Sequence, residues 1–480
     1  MAFSKAPSQS TYQTRDVKTI WALRNRDASG TKDTIALNGF YDIVADRSAD
    51  DKDVHFVKRD GTVKYPYSIP SGTVRGMYYW EDEDKLYIAY SDKVAICTGS
   101  TGALVTTVTP FTSTTGDVGF TEFYYDTGET KIVVADGVKL ATIDASNVLV
   151  VGADADQPSP FNPHVVFLDG YLFLHKTDTS DIYNSDLNDP LAFTAGDFIT
   201  AEMVADTLKR IFRLNNYIVA LGTASIEYFY DAANASGSPL GRQDTPVKNI
   251  GYVGGLVQYG NKAYIIGQTQ ETSPEVYALE DWKISPMDNP PLRRYLRAGV
   301  TPKTAIASIG GRDFYILTAG TITYMADLET KLWTRLAHKN GTTFPAIRAV
   351  NVPISGNCSL VAMDTGTDLF YFNPAVYQDD GVNFTATVQT YKQTFDTFHE
   401  KYMSRLLVIA DRASASTLEV SWTDDDYQTF SAVRQINLAI ERPVVHRLGR
   451  FLERAFKLNY TQNAPLRVDH LEVDFNIGNR

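Results

Sequence analysis

Carboxylates dense enough for acid–base chemistry occur twice, at Glu81-Asp82-Glu83-Asp84 and at Asp424-Asp425-Asp426. Glycoside hydrolysis needs such a pair, one group as acid and the other as base or nucleophile. Both runs fall between stretches of alternating apolar and polar residues, where a hairpin turns and solvated acids are ordinary. Neither is therefore read as a catalytic pair. No Ser stands in a G-x-S-x-G elbow, so that class of hydrolase has no support. The seven histidines, His55, His164, His175, His338, His399, His446 and His470, show no H-E-x-x-H or Cys-His spacing and predict no metal site. A G-x-x-x-x-G-K-[ST] loop is absent, and GYVGGL at 251–256 is a glycine-rich strand entry outside any βαβ unit. The expectation is a protein that is not an enzyme, with no catalytic, cofactor-binding or metal-ligating residue assigned and no cofactor.

Two further motifs bear on chemistry. SWTDDDYQTF at 421–430 resembles the Asp-box hairpin of sialidases and other β-proteins, in which an Asp accepts backbone N–H bonds and caps a turn. That role is structural. RPVVHRLGRFLERAF at 442–456 sets Arg447, Arg450 and Arg454 among apolar residues. Arginine favours bidentate partners, so one reading is a contact between subunits or with a DNA phosphate; the other is an amphipathic strand pair with water-facing arginines.

The elements that would position such groups are nearly all strands. Of the 480 residues, 44% are apolar and 12% aromatic, and 28 Tyr with 24 Phe suit half-buried pleated surfaces. Forty-five basic against 57 acidic residues give a net charge of −12, which argues against a nucleic-acid binder relying on a positive surface. A channel through which DNA slides is a different case, because each neutralised phosphate would add affinity that holds the DNA in place. Cys97 and Cys358 are read as two buried thiols. The polar N-terminus and the lack of any run of 18 apolar residues predict a soluble chain made in a cytoplasm, with no membrane insertion.

One unit recurs along the chain. KRIFRLNNYIVALGTASIEYFYD at 209–231 reads as three short strands with turns at Asn215-Asn216 and Thr223-Ala224. Such a sheet leaves its faces bare and needs copies stacked on both sides. Copies open at Arg75, Gly119, His164, Lys209, Gly254, Ala305 and Ile347, at steps of 44, 45, 45, 45, 51 and 42 residues. A period near 45 matches four-stranded propeller blades, and seven units are enough to close a ring.

The long step holds EDWKISPMDNPPLRRYLRAGVTPK, whose paired prolines and basic residues Arg293, Arg294, Arg297 and Lys303 predict an exposed excursion. Before the repeat, Asp60-Gly61 between alternating runs predicts a hairpin in a leading segment, read either as an ordinary hairpin or as an arm that contacts a neighbour or closes the fold. After Asn373, six irregularly spaced strand-like runs predict a β-sandwich. The expected fold is all-β: an N-terminal arm and hairpin over 1–65, a seven-bladed β-propeller over 66–375, and a C-terminal β-sandwich-like platform over 376–480.

SIEYFYDAAN at 225–234, with TDDDYQTFSAVRQI at 423–436 and HRLGRFLERAFKL at 446–458, resembles the tail hub proteins of short-tailed bacteriophages. This family is also called packaged-DNA stabilisation protein or tail nozzle. The resemblance implies a non-enzymatic structural protein of the virion tail, made in the host bacterial cytoplasm. It implies a hexameric ring below the portal–adaptor complex that extends the DNA channel, helps retain packaged DNA and conducts it during ejection. The implied partners are further copies of the chain, the portal-adaptor protein, a tail needle or plug or tail fibre proteins, and double-stranded DNA passing through without sequence-specific binding. Ring-interface residues do not transfer, and the N-terminal region offers no matching motif for the adaptor contact. The alternative from another class is a glycan-binding, receptor-recognition propeller; a propeller glycosidase ranks last.

Overall fold

The computed structural model describes residues 12–18, 34–45, 52–234, 236–243, 248–287, 290–297, 299–339, 341–412 and 416–478. Among the described residues five antiparallel sheets have four strands each, and two further four-stranded blades are parts of larger sheets. Blade one comprises Val74–Trp80, Lys85–Tyr90, Lys93–Thr98 and Leu104–Val108. Blade two opens at Gly119–Tyr124, blade three at Val166–Leu168, blade four at Leu208–Leu214, blade five at Gly251–Tyr259, blade six at Lys303–Ile309 and blade seven at Ala346–Val352. The second strand of each blade carries a buried, mainly apolar run, as in Tyr217–Gly222, because both its faces are covered by neighbouring blades.

Seven apolar clusters lie between neighbouring blades among the described residues. One packs Trp80, Tyr87 and Ile96 of blade one against Ile132 and Val134 of blade two. The last packs Leu360 and Tyr371 of blade seven against Leu86 and Ile88 of blade one, and so closes the ring. Cys97 and Cys358 are both buried free thiols in that closing cluster.

Closure is made by an early segment of the chain. Gly61–Ser68 pairs antiparallel with Asp368–Asn373 and is the fourth strand of blade seven. Asp60-Gly61 is thus not a hairpin turn. Lys52–Lys58 pairs instead with Gly39–Ala45 and with Arg467–Ile477 of the platform. Each alternating run is taken by a different domain, which the turn signal could not reveal.

The expected limits at 65 and 376 need the same correction. Residue 65 lies inside the closing strand, and Tyr12–Lys18 and Gly39–Ala45 belong to the platform's first sheet, so they form no separate arm. Gln378–Asp379 and Val382–Asn383 still extend blade seven's sheet. The platform's own C-terminal strands begin at Ala386–Gln389. Its two sheets enclose Phe56, Phe395, Leu406, Val420, Phe456, Leu471 and Phe475. The second sheet runs on into blade six, because Leu37 of Ile35–Leu37 pairs with Arg335.

Where the chain crosses between the two bodies it buries charge. Arg59, with no exposed surface, donates to both carboxylate oxygens of Asp379 at 2.9 and 2.6 Å and to the carbonyls of Asp60 and Ala337 at 2.8 and 2.9 Å. Its guanidinium lies 3.8 Å from the centre of the Phe384 ring. Beside it, the buried Lys58 ammonium donates to the carbonyls of Tyr377 and Gln462 at 3.1 and 2.6 Å. Burial and then the charge of Arg59 push Lys58 down to about 7, with Asp379 opposing them. The folded amine thus titrates below its unfolded value, and the unfolded chain binds the extra proton between about pH 7 and 10.5. Stability should rise with pH across that window, by at most about 1.4 kcal/mol per pH unit. Urea titrations at pH 7 and pH 9 should show this gain in the parent and not in Lys58→Met; equal gains in both would refute it.

Candidate functional site

The acidic runs do structural work. Glu81–Asp84 is the turn between the first two strands of blade one, where Asp84 accepts from the Tyr79 hydroxyl at 3.0 Å and from Ser100 N–H at 2.9 Å. In the Asp-box turn, Asp425 accepts from the backbone N–H of Gln428 at 3.1 Å and of Thr429 at 2.9 Å. The Thr429 and Thr423 hydroxyls also donate to it, and these bonds hold its carboxyl down at about 2. Asp426 pairs with Lys392 at 2.9 Å.

Asp424 takes the guanidinium of Arg454 on both oxygens, at 2.8 and 2.7 Å. Arg454 is 1% exposed and stacks on Phe451, so it faces neither water nor a partner. Arg450, by contrast, is 74% exposed beside Glu400. The predicted basic excursion is built in on one face, while Arg294 and Arg297 stay exposed. Its helix, Pro290–Leu296, buries Leu292 and Leu296 between blades five and six, Arg293 reaches Glu275 at 3.3 Å, and Lys303 pairs with Asp364.

The structure gathers a different set of charges, around the propeller axis. A cavity of about 990 Å³ is lined by the inner strands, including Gly119, His164, Arg210, Ala305 and Arg348, so the residues that open the repeats, or their immediate neighbours, ring it. A second lobe of about 450 Å³ shares Tyr78, Gly119, Phe120, His164, Arg210 and Gln258 with the first. Close packing of the inner strands needs small residues: a Cβ on Gly119 would stand 2.0 Å from the Pro163 carbonyl oxygen of the next blade.

Arg75, Arg210 and Arg348 each stand where the register of an inner strand shifts, and such bulges re-aim side chains. Arg75 is consumed by the connection between blades one and two, donating to the carbonyls of Gly116, Ser113 and Thr115 at 2.8, 2.9 and 2.6 Å. Arg348 pairs with Asp117 at 2.6 Å, and His164 lies 3.4 Å from the other oxygen of the same carboxylate. Burial pushes the Asp117 carboxyl up, but the His164 hydrogen bond and the charges of Arg348 and Arg210 outweigh it and hold the group well below the usual range. Burial, then Arg210, pushes His164 down to about 4, so it is neutral at neutral pH. Arg210 has Tyr252 as its hydrogen-bonding neighbour, and its buried Nε–H has no hydrogen-bond partner among the described residues. The sequence signal for this set was an arginine at the opening of unit one and directly after the openings of units four and seven.

The family model of the bacteriophage P22 Gp10 β-propeller, a phage stabilisation family, matches residues 56–308, from the platform strand before the closing segment into blade six. The chain belongs to that phage stabilisation family. It is accordingly a bacteriophage virion protein of the packaged-DNA stabilisation class, and the family is one of structural phage proteins. No curated protein matches the sequence. Among solved structures, the chain is similar to a streptogramin B lyase at 13% identity, covering 66% of this chain and 98% of the lyase with a TM-score of 0.42. It is similar to the N-terminal domain of Nup159 at 10% identity, covering 71% of this chain and all of that one, also with a TM-score of 0.42. Among the described residues of this phage stabilisation protein no group of His, Cys, Asp and Glu could hold a metal ion, and no helix is long and apolar enough to cross a membrane.

Proposed function

We propose that this phage stabilisation protein forms a ring, of six copies by family likeness, beneath the portal–adaptor complex of a short tail, where it extends the DNA channel, helps retain the packaged genome and conducts it during ejection. The observation that carries this reading is the family match over residues 56–308. The axial cavity supports it from another side. At about 990 Å³ it has the size of a small-molecule site, about 300–1,000 Å³, which supports a DNA path outside the single propeller. A DNA channel must then lie between copies, which requires each copy to present two different patches to its neighbours and the ring to close.

Excess acid suits the wall of such a channel, because it withholds the phosphate contacts that would slow sliding DNA. A closed propeller joined to a platform sheet leaves few free edges and makes a stiff wedge for a ring that resists internal pressure. The needle or plug closing the far end, and the tail fibres, are the remaining expected partners.

Particles assembled without the protein test the reading. Their heads should fill with DNA and then leak it during purification, and adding the purified protein should restore both DNA content and infectivity. Particles that keep a full genome without it would contradict a role in retention.

A further inference from the structure

The axial cavity carries a charge imbalance that the channel function does not use. Among the described residues its wall holds four cations, Arg75, Arg210, Lys303 and Arg348, against the two carboxylates of Asp117 and Asp364, in a chain whose net charge is −12. Lys303 is matched by Asp364, and Arg75 is bonded to carbonyls. Asp117 is left to serve Arg348, His164 and Arg210 together. An arginine stays charged at any pH a protein survives, and taking it from water without a full counter-charge is costly. Arg210 nonetheless lines both lobes of the cavity, with its Nε–H unpartnered among the described residues.

We propose that this cavity binds a small oxyanion of the phosphate class, held by the guanidinium groups of Arg210 and Arg348 with the Tyr252 hydroxyl beside them. Planar guanidinium groups offer forked donors that match phosphate oxygens. A tetrahedral dianion accepts from several directions at once, which fits donors arriving from blades four, five and seven. Arg348 keeps 29% of its side chain exposed, so its charge is screened less than that of a fully exposed arginine. Bound there, the anion supplies the missing counter-charge and ties three blades together at their narrowest point.

Equilibrium dialysis of the full chain against radiolabelled inorganic phosphate tests this at constant ionic strength. Saturable binding of one phosphate per chain is expected, displaced by sulfate and not by chloride. Arg210→Met should weaken it by about tenfold or more, the worth of charged hydrogen bonds. Asp117→Asn should tighten it, because a competing carboxylate is removed; a variant that merely loosened the fold would weaken it. Arg450→Met, on the exposed platform surface, should leave it unchanged. Displacement by a nucleoside monophosphate would support the site and identify the anion as the end of a larger ligand, whereas displacement by free phosphate alone would support it with inorganic phosphate as ligand. No saturable binding, or equal binding by the parent and both cavity variants, would overturn the proposal.

Discussion

Arg59→Met is expected to cost the full chain about 3–5 kcal/mol of stability, the range for breaking one half of a buried ion pair. Asp379 has no exposed surface, and its oxygens accept from Arg59 twice, from the Thr62 hydroxyl at 3.0 Å and from the Lys339 N–H at 2.8 Å. Burial alone pushes this carboxyl up; the charge of Arg59 and its hydrogen bonds outweigh burial and hold the group below its ordinary value. Removing Arg59 leaves a buried anion facing two amide-strength donors, and at the same time unsatisfies the carbonyls of Asp60 and Ala337.

The pH dependence has a definite sign. A depressed folded pKa contributes stability above the unfolded carboxylate range and loses it as pH falls through that range. The Arg59→Met variant should therefore lose less stability than the parent on acidification. Arg59→Met combined with Asp379→Leu should recover part of the loss, because an apolar pair of similar volume is often nearly neutral in place of a buried salt bridge. Urea unfolding reads all of these. A loss under about 1 kcal/mol in the single variant would mean that the junction does not depend on this pair.

Tyr65→Ala should cost about 3–5 kcal/mol, as large-to-small changes of buried aromatics do. Tyr65 stands on the closing strand with no exposed surface and packs among Leu86, Ile88, Leu360 and Tyr371, so it holds blade seven to blade one. Its hydroxyl donates to the carbonyl of Thr98 in blade one at 3.2 Å. Tyr65→Phe keeps the ring and loses that bond, for an expected cost of about 1 kcal/mol. The neighbouring Lys64 makes a half-exposed pair with Asp368, so Lys64→Ala should change stability by less than about 1 kcal/mol. Urea unfolding of the three variants separates closure by packing from closure by charge. Equal losses in all three would contradict the packing account.

What was legible in the sequence follows from which forces are local. The blades were readable because each turn and each apolar second strand is specified within about 45 residues, and their openings fell at or beside the axis. The Asp-box was readable because its bonds are made within a few residues. Closure of the fold by the leading segment was one of two readings of it, but the strand that closes and its partner were not readable, because Asp368–Asn373 lies some 300 residues from Gly61–Ser68 and two domains share one alternating stretch. Arg454 looked like a surface arginine because its partner Asp424 is 30 residues distant, on another strand's turn. The reading of an amphipathic strand with water-facing arginines holds over Val444–Phe451 for Arg447 and Arg450, although Arg447 and Gly449 are left-handed and break the alternation a strand is known by. The axial arginines could have been found by asking what the repeats carry at their openings and at the residue after, where Arg75, Arg210 and Arg348 stand.

Electron microscopy of the full-length protein mixed with the portal and adaptor proteins of the same phage tests the central claim most directly. A six-fold ring continuing the portal channel is expected, with the propellers arrayed around a lumen wide enough for duplex DNA and their own axes off the channel axis. A monomer that ignores the adaptor, or density in which a single propeller is threaded on the channel, would contradict it.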